Sequence, residues 1–307
     1  TLAALGSNCG IDNLEAVAKG NELCSAYGLD TISAGESIAF AMECFEQGIL
    51  TEKDTGGLRL NFGNAEAMLQ LIEMIAKRNG IGSAMADGVS KAASVFGNGA
   101  EDFALHVKGQ ELPMHEPRFK QVLGVGYTIS PTGADHCHNT HDTLFTRRVP
   151  SMLQALGVFK PLPCQDLSAE KVRVLVYDSL WKHTINCLVI CYFIPVYCAV
   201  SPLQITDLIR GVTGWNTNLW ELMKVGERCV AMARAFDIRE GMTKGDDYLP
   251  RRFFTPFTSG PLKGVKIKER ELKRAIDTYY GMVGWDKKGT PTLAKLQELG
   301  IEWVAEV

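Results

Sequence analysis

The feature that most constrains this chain is the repeated placement of apolar residues at three- and four-residue intervals, segment after segment, each closed by a glycine or opened by a capping residue. Leu14, Val17, Ala18 and Cys24 form one such stripe, with Asp12 as the expected N-cap, Glu15 in the capping-box place and Gly28 as the stop. Ile38, Met42, Phe45 and Ile49 form a second. Met68, Leu71, Ile72 and Ile75 form a third behind Asn64, and Asn79-Gly80 closes it. Val89, Ala92, Ala93 and Phe96 follow before Gly97. Farther on, Ser201-Pro202-Leu203-Gln204 reads as a helix start, with serine as cap, proline in the first turn and glutamine reaching back. Leu219, Leu222, Gly226, Cys229, Val230 and Ala233 line a long helix, 269–282 another, and Pro291-Thr292-Leu293 opens a last one that Gly300 ends. The pattern predicts an all-α, multihelical fold with only short minor strands, one of them over 103–107.

Glu111-Leu112-Pro113 through Glu116-Pro117 is a proline-punctuated bend. It divides the chain into two expected helical domains, 1–115 and 116–307. Gly124 to Asp142 lacks periodicity and reads as a long loop, and residues 246–264, rich in Pro, Gly and Phe, read as irregular.

Composition narrows the function classes. The net charge of −3 over 307 residues gives no electrostatic case for nucleic acid or an anionic membrane. The nine cysteines are odd in number and scattered through apolar stretches, so they read as reduced thiols in a cytoplasm, mostly buried, and not as a secreted disulfide framework. The most apolar run, Ile185 to Val200, is shorter than the ~20 residues a spanning helix needs and contains Asn186 and Pro195. It reads as a buried helix, with no membrane partner. No secretory signal is visible, and the first residue is Thr1, not Met, so a fragment of a longer protein is expected.

Three clusters could carry chemistry. Asp135-His136-Cys137-His138-Asn139-Thr140-His141-Asp142 packs three of the six histidines into six positions. Such a loop can bind a metal, move protons in a substrate pocket, or do no more than cap helix ends. Cys187 and Cys191 stand at i and i+4, on one face if the run is helical, a spacing equally at home in a core. Ser25 to Thr31 combines a helix stop at Gly28 with a start at Asp30 or Thr31, and a carboxylate at such a junction can accept hydrogen bonds from a polar cofactor.

Asn21 to Ser33 resembles the first of two pterin-binding turns of the tungsten-containing aldehyde:ferredoxin oxidoreductase family. Gly28, Leu29 and Asp30 match its Gly-Leu-Asp, and Ser25 stands where an Asp is usual. Asn186 to Cys191 is similar to the second turn, with Asn186, Val189 and Ile190 in place of Asp, Gly and Leu, and Cys191 retained. Thr213-Gly214-Trp215, Phe236 to Gly241, Leu249 to Arg252, Gly260-Pro261-Leu262 and Tyr279 to Asp286 follow the family's order, so the likeness spans essentially the whole chain.

The resemblance implies the C-terminal helical part of an enzyme that interconverts aldehydes and carboxylic acids. Its cofactors would be tungsten held by two pterins of the molybdopterin type and a [4Fe–4S] cluster that passes electrons to ferredoxin. Ser25, Gly28, Leu29, Asp30, His138, Asn186, Ile190 and Cys191 would face cofactor, with Cys191 as the one cluster ligand in this chain. His136 aligns with the family's catalytic pocket histidine. The other three cluster cysteines and a pocket glutamate would lie in an N-terminal domain outside this chain, so the isolated chain is expected to be inactive. The further expectations are a small aldehyde or acid as substrate, a homodimer as a possible assembly, and the cytoplasm of an anaerobe as the setting. Lys19 and Glu22 occupy the region where some relatives hold a metal between subunits through Glu and His, and no such metal is expected. Two alternatives remain at this stage. One is the tungstopterin subunit of an aromatic acyl-CoA reductase, and the other is a non-catalytic helical interaction module.

Overall fold

The computed structural model describes residues 1–149, 151–154, 156–197 and 200–305, without the side chains at 151, 152, 196 and 197. Cys198 lies outside the described residues. The described elements are all-α apart from one two-stranded hairpin. The chain divides into two compact units. The first comprises Thr1–Glu116, Thr132–Asp135 and Tyr248–Lys266; the second comprises Pro117–Pro131, His136–Asp247 and Ile267–Val307.

The first unit contains α1 (Leu14–Tyr27), α2 (Thr31–Glu46), α3 (Ala65–Ala76), α4 (Ile81–Met85) and α5 (Val89–Phe96), then the hairpin β1 (His106–Val107) and β2 (Gln110–Glu111). Its core is built from the predicted stripes: Val17 and Cys24 of α1, Ile38 and Met42 of α2, Met68, Leu71 and Ile72 of α3, and Val89 and Ala92 of α5. Phe40 and Phe96 stack with centroids 5.6 Å apart. The cap of α1 is Asn13, one residue later than expected, because its side-chain oxygen is the one that accepts from the backbone N–H of Ala16. Asn64 caps α3 as expected. The predicted strand shortens to His106–Val107 and gains a partner, Val107 opposite Gln110, across a turn in which Lys108 and Gly109 both have positive φ.

The second unit contains α6 (Gln121–Ile129), α7 (Ser151–Gln154), α8 (Ala169–Cys187), α9 (Phe193–Tyr197), α10 (Pro202–Thr213), α11 (Leu219–Arg239), α12 (Glu269–Val283) and α13 (Leu293–Leu299). The long helices α8 and α11 pack against each other, and α12 and α6 pack on α8. Gly226 permits that pairing: a Cβ there would lie 2.2 Å from the carbonyl oxygen of Leu180. Ser201 and Gln204 form the predicted reciprocal cap on α10, and Asn218 and Glu221 form the same device on α11. Arg234 is 1% exposed and makes a bidentate pair with Asp247 at 2.7 and 3.0 Å. Its Nε donates to the carbonyl of Gly289 at 2.9 Å, and the Tyr280 hydroxyl donates to Asp247.

The structure corrects two further sequence expectations. The stretch from Gly124 is not loop until Ser130, because α6 runs through Ile129. Every residue of α6 is buried, so the helix has no polar face and leaves no periodic signal. The apolar run from Ile185 is not one buried helix. Helix α8 ends at Cys187, a left-handed residue at Val189 turns the chain, and Val189 and Phe193 are exposed. Pro195 offers no N–H to continue the ladder, yet sits comfortably in the first turn of α9. Cys187 and Cys191 therefore do not share a helix face. Among the described residues no helix is long and apolar enough to cross a membrane.

Candidate functional site

In the first unit the site is a helix junction. Gly28 ends α1 with φ +69°, its N–H donating to the carbonyl of Ser25 and that of Leu29 to Cys24. This is the paired closure that a left-handed residue allows, and glycine adopts it at no steric cost. Leu29 packs on the core, and Asp30 opens α2 by accepting from the Ser33 N–H at 3.0 Å. Ser25, Gly28 and Asp30 are exposed. Leu29 and Asp30 line a cavity of about 230 Å³ together with Ser33, Ser37, Gly109 and Glu111.

The sequence reading missed two carboxylates, Glu111 on the wall of this cavity and Glu36, which feels its charge. Glu111, on β2, is buried and accepts from the Val89 N–H at 2.8 Å, at the start of α5. Glu36 projects from α2, and burial together with the nearby Glu111 charge pushes its carboxyl up to about 8. Arg252 pairs with Glu43 at 2.7 Å and only partly offsets that repulsion. No local pattern could announce this interaction, since Glu36 and Glu111 are far apart in sequence and only the packing of β2 on α2 brings their charges into range.

The second unit carries a turn of the same construction. The Val189 N–H donates to Asn186 and the Ile190 N–H to Ile185, at 3.0 and 3.2 Å, repeating the Gly28 and Leu29 bonds. The same pair of bonds also closes α2 at Gly48, α3 at Arg78, α7 at Gly157, α11 at Gly241 and α13 at Gly300, so the bonding pattern is a general helix stop. Val189 and Arg78 are the non-glycine residues among these stops, and Val189 alone is β-branched, at φ +57° and 93% exposed. Ile190 packs beside Ile185. Cys191 follows as Asp30 follows Leu29, and its carbonyl receives the Ile194 N–H just ahead of α9. Asn186 and Cys191 are exposed, and the Cys191 thiol is not in a disulfide. Cys187 instead contacts Cys229 of α11, whose thiol burial and that neighbour push up to about 11.

The histidine loop belongs to the same unit from His136 onward. His136 Nε2 lies 3.7 Å from the Cys137 Sγ, and its ring stands edge-on to His141 at 6.0 Å. His138 meets the Ser130 hydroxyl at 3.2 Å and the ring of His183, on α8, at 4.6 Å. Lys182 links this loop to the Cys191 turn: its ammonium donates to the Asn139 carbonyl at 2.5 Å and sits over the Tyr192 ring at 5.3 Å. Lys182 and His183 escaped the sequence reading because a Lys-His pair in a helix of mixed polarity reads as solvent-facing, whereas both side chains are buried. Among the described residues no group of three or more His, Cys, Asp or Glu side chains is arranged to hold a metal ion.

Residues 1–301 match the family model for aldehyde ferredoxin oxidoreductase, domains 2 and 3. This chain belongs to the aldehyde ferredoxin oxidoreductase family. It is 33% identical over 304 residues to the tungsten-containing aldehyde ferredoxin oxidoreductase of Pyrococcus horikoshii, a match covering 97% of this chain and 47% of that protein. It is 29% identical over 314 residues to the aliphatic sulfonate oxidoreductase, WOR-like subunit, of Pyrococcus furiosus, covering 97% of this chain and 45% of that one. The fold is shared with the active-site complex BamBC of benzoyl coenzyme A reductase solved with 1,5-dienoyl-CoA, with a TM-score of 0.70 and 24% identity over 96% of this chain and 47% of that one. The chain thus spans about half the length of the relatives it matches.

Proposed function

We propose that the complete protein is a tungstopterin oxidoreductase that interconverts aldehydes and carboxylic acids and passes electrons through a [4Fe–4S] cluster to ferredoxin. The observation that carries this reading is the Gly28-Leu29-Asp30 turn on its cavity, in a chain whose family relatives are tungsten enzymes. The donor set fits a pterin. One Asp30 oxygen is occupied by the Ser33 N–H, and the carboxylate has further acceptor capacity for the N–H groups of a pterin ring. Ser33 and Ser37 add hydroxyls to the same wall. Cys191 offers one exposed thiol at the second turn, and a cluster of this type takes four, so three thiolates would come from sequence outside this chain.

When bound, the tungsten cofactor would supply the two-electron redox change and polarise the carbonyl. The chain's own part is placement and proton handling. Asp30 and Ser25 would orient pterin at the first turn, and Asn186 and Ile190 at the second. His138, braced by Ser130 and His183, would contact cofactor as a basic group. His136 would hold or move a proton at Nε2 next to the substrate oxygen.

The deciding experiment is the tungsten, molybdenum and iron content of the anaerobically purified full-length protein, followed by a screen of aldehydes against aromatic acyl-CoA thioesters and aliphatic sulfonates. About one tungsten and four irons per chain with aldehyde turnover is the expected result. Metal with turnover of one of the other classes would move the protein to that chemistry. A folded, metal-free protein would overturn the reading in favour of a non-catalytic module.

A further inference from the structure

The histidine loop contains a hydrogen-bonded chain that the proposed function leaves unused. Lys120, the residue before α6, places its ammonium 3.3 Å from Nδ1 of His141. Nε2 of the same ring lies 3.0 Å from the backbone carbonyl of His136. A carbonyl oxygen has only lone pairs, so Nε2 carries the hydrogen of that bond. An ammonium has only hydrogens, so Nδ1 is the acceptor in the other. Only the neutral, Nε2-protonated ring satisfies both neighbours.

The surroundings make this arrangement rigid. Asp142, the next residue, accepts from the N–H of Leu123 at 3.0 Å and of Val122 at 3.4 Å, and it pairs with Lys171. The end of the loop is therefore fastened to the first turn of α6 by Asp142 as well as by His141. Lys120 is half-buried and faces His141, Asp142 and Cys164, while the other ring face-to-edge with His141 is that of His136.

We infer that Lys120 and His141 are positioning residues for His136: the lysine holds His141 in one neutral tautomer, and the N–H of that tautomer fixes the His136 peptide and hence the direction of its ring. The consequence for catalysis rests on the role proposed for His136, whereas the geometry does not. Protonation of His141 at Nδ1 would put two cations at 3.3 Å and remove the acceptor, so Lys120 disfavours it. Burial lowers the Lys120 ammonium's own pKa, and Asp142 and Cys164 oppose that shift.

The test is residue-resolved exchange of histidine C2 hydrogens, followed by mass spectrometry over about pH 5 to pH 9, on the full-length protein. The variants are Lys120→Met, Lys120→Gln and Lys120→Arg. Loss of the charge in Met or Gln should raise the His141 midpoint by about one to two pH units, and Arg should keep it at the wild-type value. Use of two neutral variants guards against one failing to fold. In parallel, His141→Gln, which retains a side-chain N–H donor, should keep more of kcat than His141→Ala, at similar KM. An unmoved His141 midpoint in the folded neutral variants, or equal kcat losses in the Gln and Ala variants, overturns the inference. A moved midpoint together with full activity of His136→Ala would instead sink the catalytic role of His136 and leave the Lys120–His141 coupling standing.

Discussion

The ammonium of Lys171 lies 3.1 Å from Oδ1 of Asp142, and both side chains are 0% exposed. Lys171 also donates to the Pro163 carbonyl at 3.1 Å, and Asp142 receives the two N–H groups at the start of α6. Burial pushes the Asp142 carboxyl up to about 6 against the pull of these partners. Removing one charge strands the other, so Lys171→Met should cost about 3–5 kcal/mol. The Lys171→Met, Asp142→Asn double variant should recover part of that loss, since it leaves no unpaired charge. Urea denaturation of the four proteins measures the coupling, and a simple sum of the single losses would show that the pair is not coupled.

Glu36 gives the fold a pH dependence. Its folded-state pKa, about 8, lies above the ordinary 4.5. The folded protein therefore holds a proton that the unfolded chain has released between these values. The stabilisation is complete below about pH 4.5 and is lost as pH rises through about 8. Glu36→Gln should melt above wild type near pH 9, and the difference should vanish as pH falls towards 5. A constant difference across that range would assign the effect to packing instead.

Val189 occupies a left-handed conformation that glycine holds at Gly28, Gly48, Gly157, Gly241 and Gly300, and that Arg78 shares at the end of α3. Its side chain is almost wholly exposed, so little packing is lost with it. Val189→Gly should stabilise the chain by about 1 kcal/mol, and Gly28→Val should cost about 1–2 kcal/mol. Paired denaturation curves read both signs at once.

Cofactor loading and turnover should separate in the complete enzyme. His136→Ala is expected to keep tungsten and iron while kcat falls by about 10²–10⁴. Cys191→Ser is expected to lower iron content or alter the cluster's electron paramagnetic resonance signal, with tungsten less affected. Unchanged iron and an unchanged signal would remove Cys191 as a ligand.

The legible part of this fold was the part written in local chemistry. Asn64, Asp30, Ser201 and Gly28 each declare a helix end through a bond to a residue three to five places away, and the structure shows those bonds. Helix α6 was illegible because burial on every side erases amphipathic contrast. The stop at Val189 was legible only through the family resemblance, because valine by itself carries no signal for a left-handed turn. At the candidate site, Asp30, His136 and Cys191 were nameable from motifs. Glu36, Glu111, Lys120 and Lys182 act through partners distant in sequence, and only the folded chain brings them to light.

The two turns at Gly28 and Val189 use one backbone recipe and differ in the side chain that comes last. Asp30 spends its carboxylate partly on capping α2, whereas the bond at Cys191 comes from its carbonyl, leaving the thiol uncommitted. The backbone thus works as a standard socket with an interchangeable tip. Changing an oxygen tip for a sulfur one would cost no more than a helix cap, about 1 kcal/mol, so a lineage built on this scaffold can change the side chain each junction presents without rebuilding the helices around it.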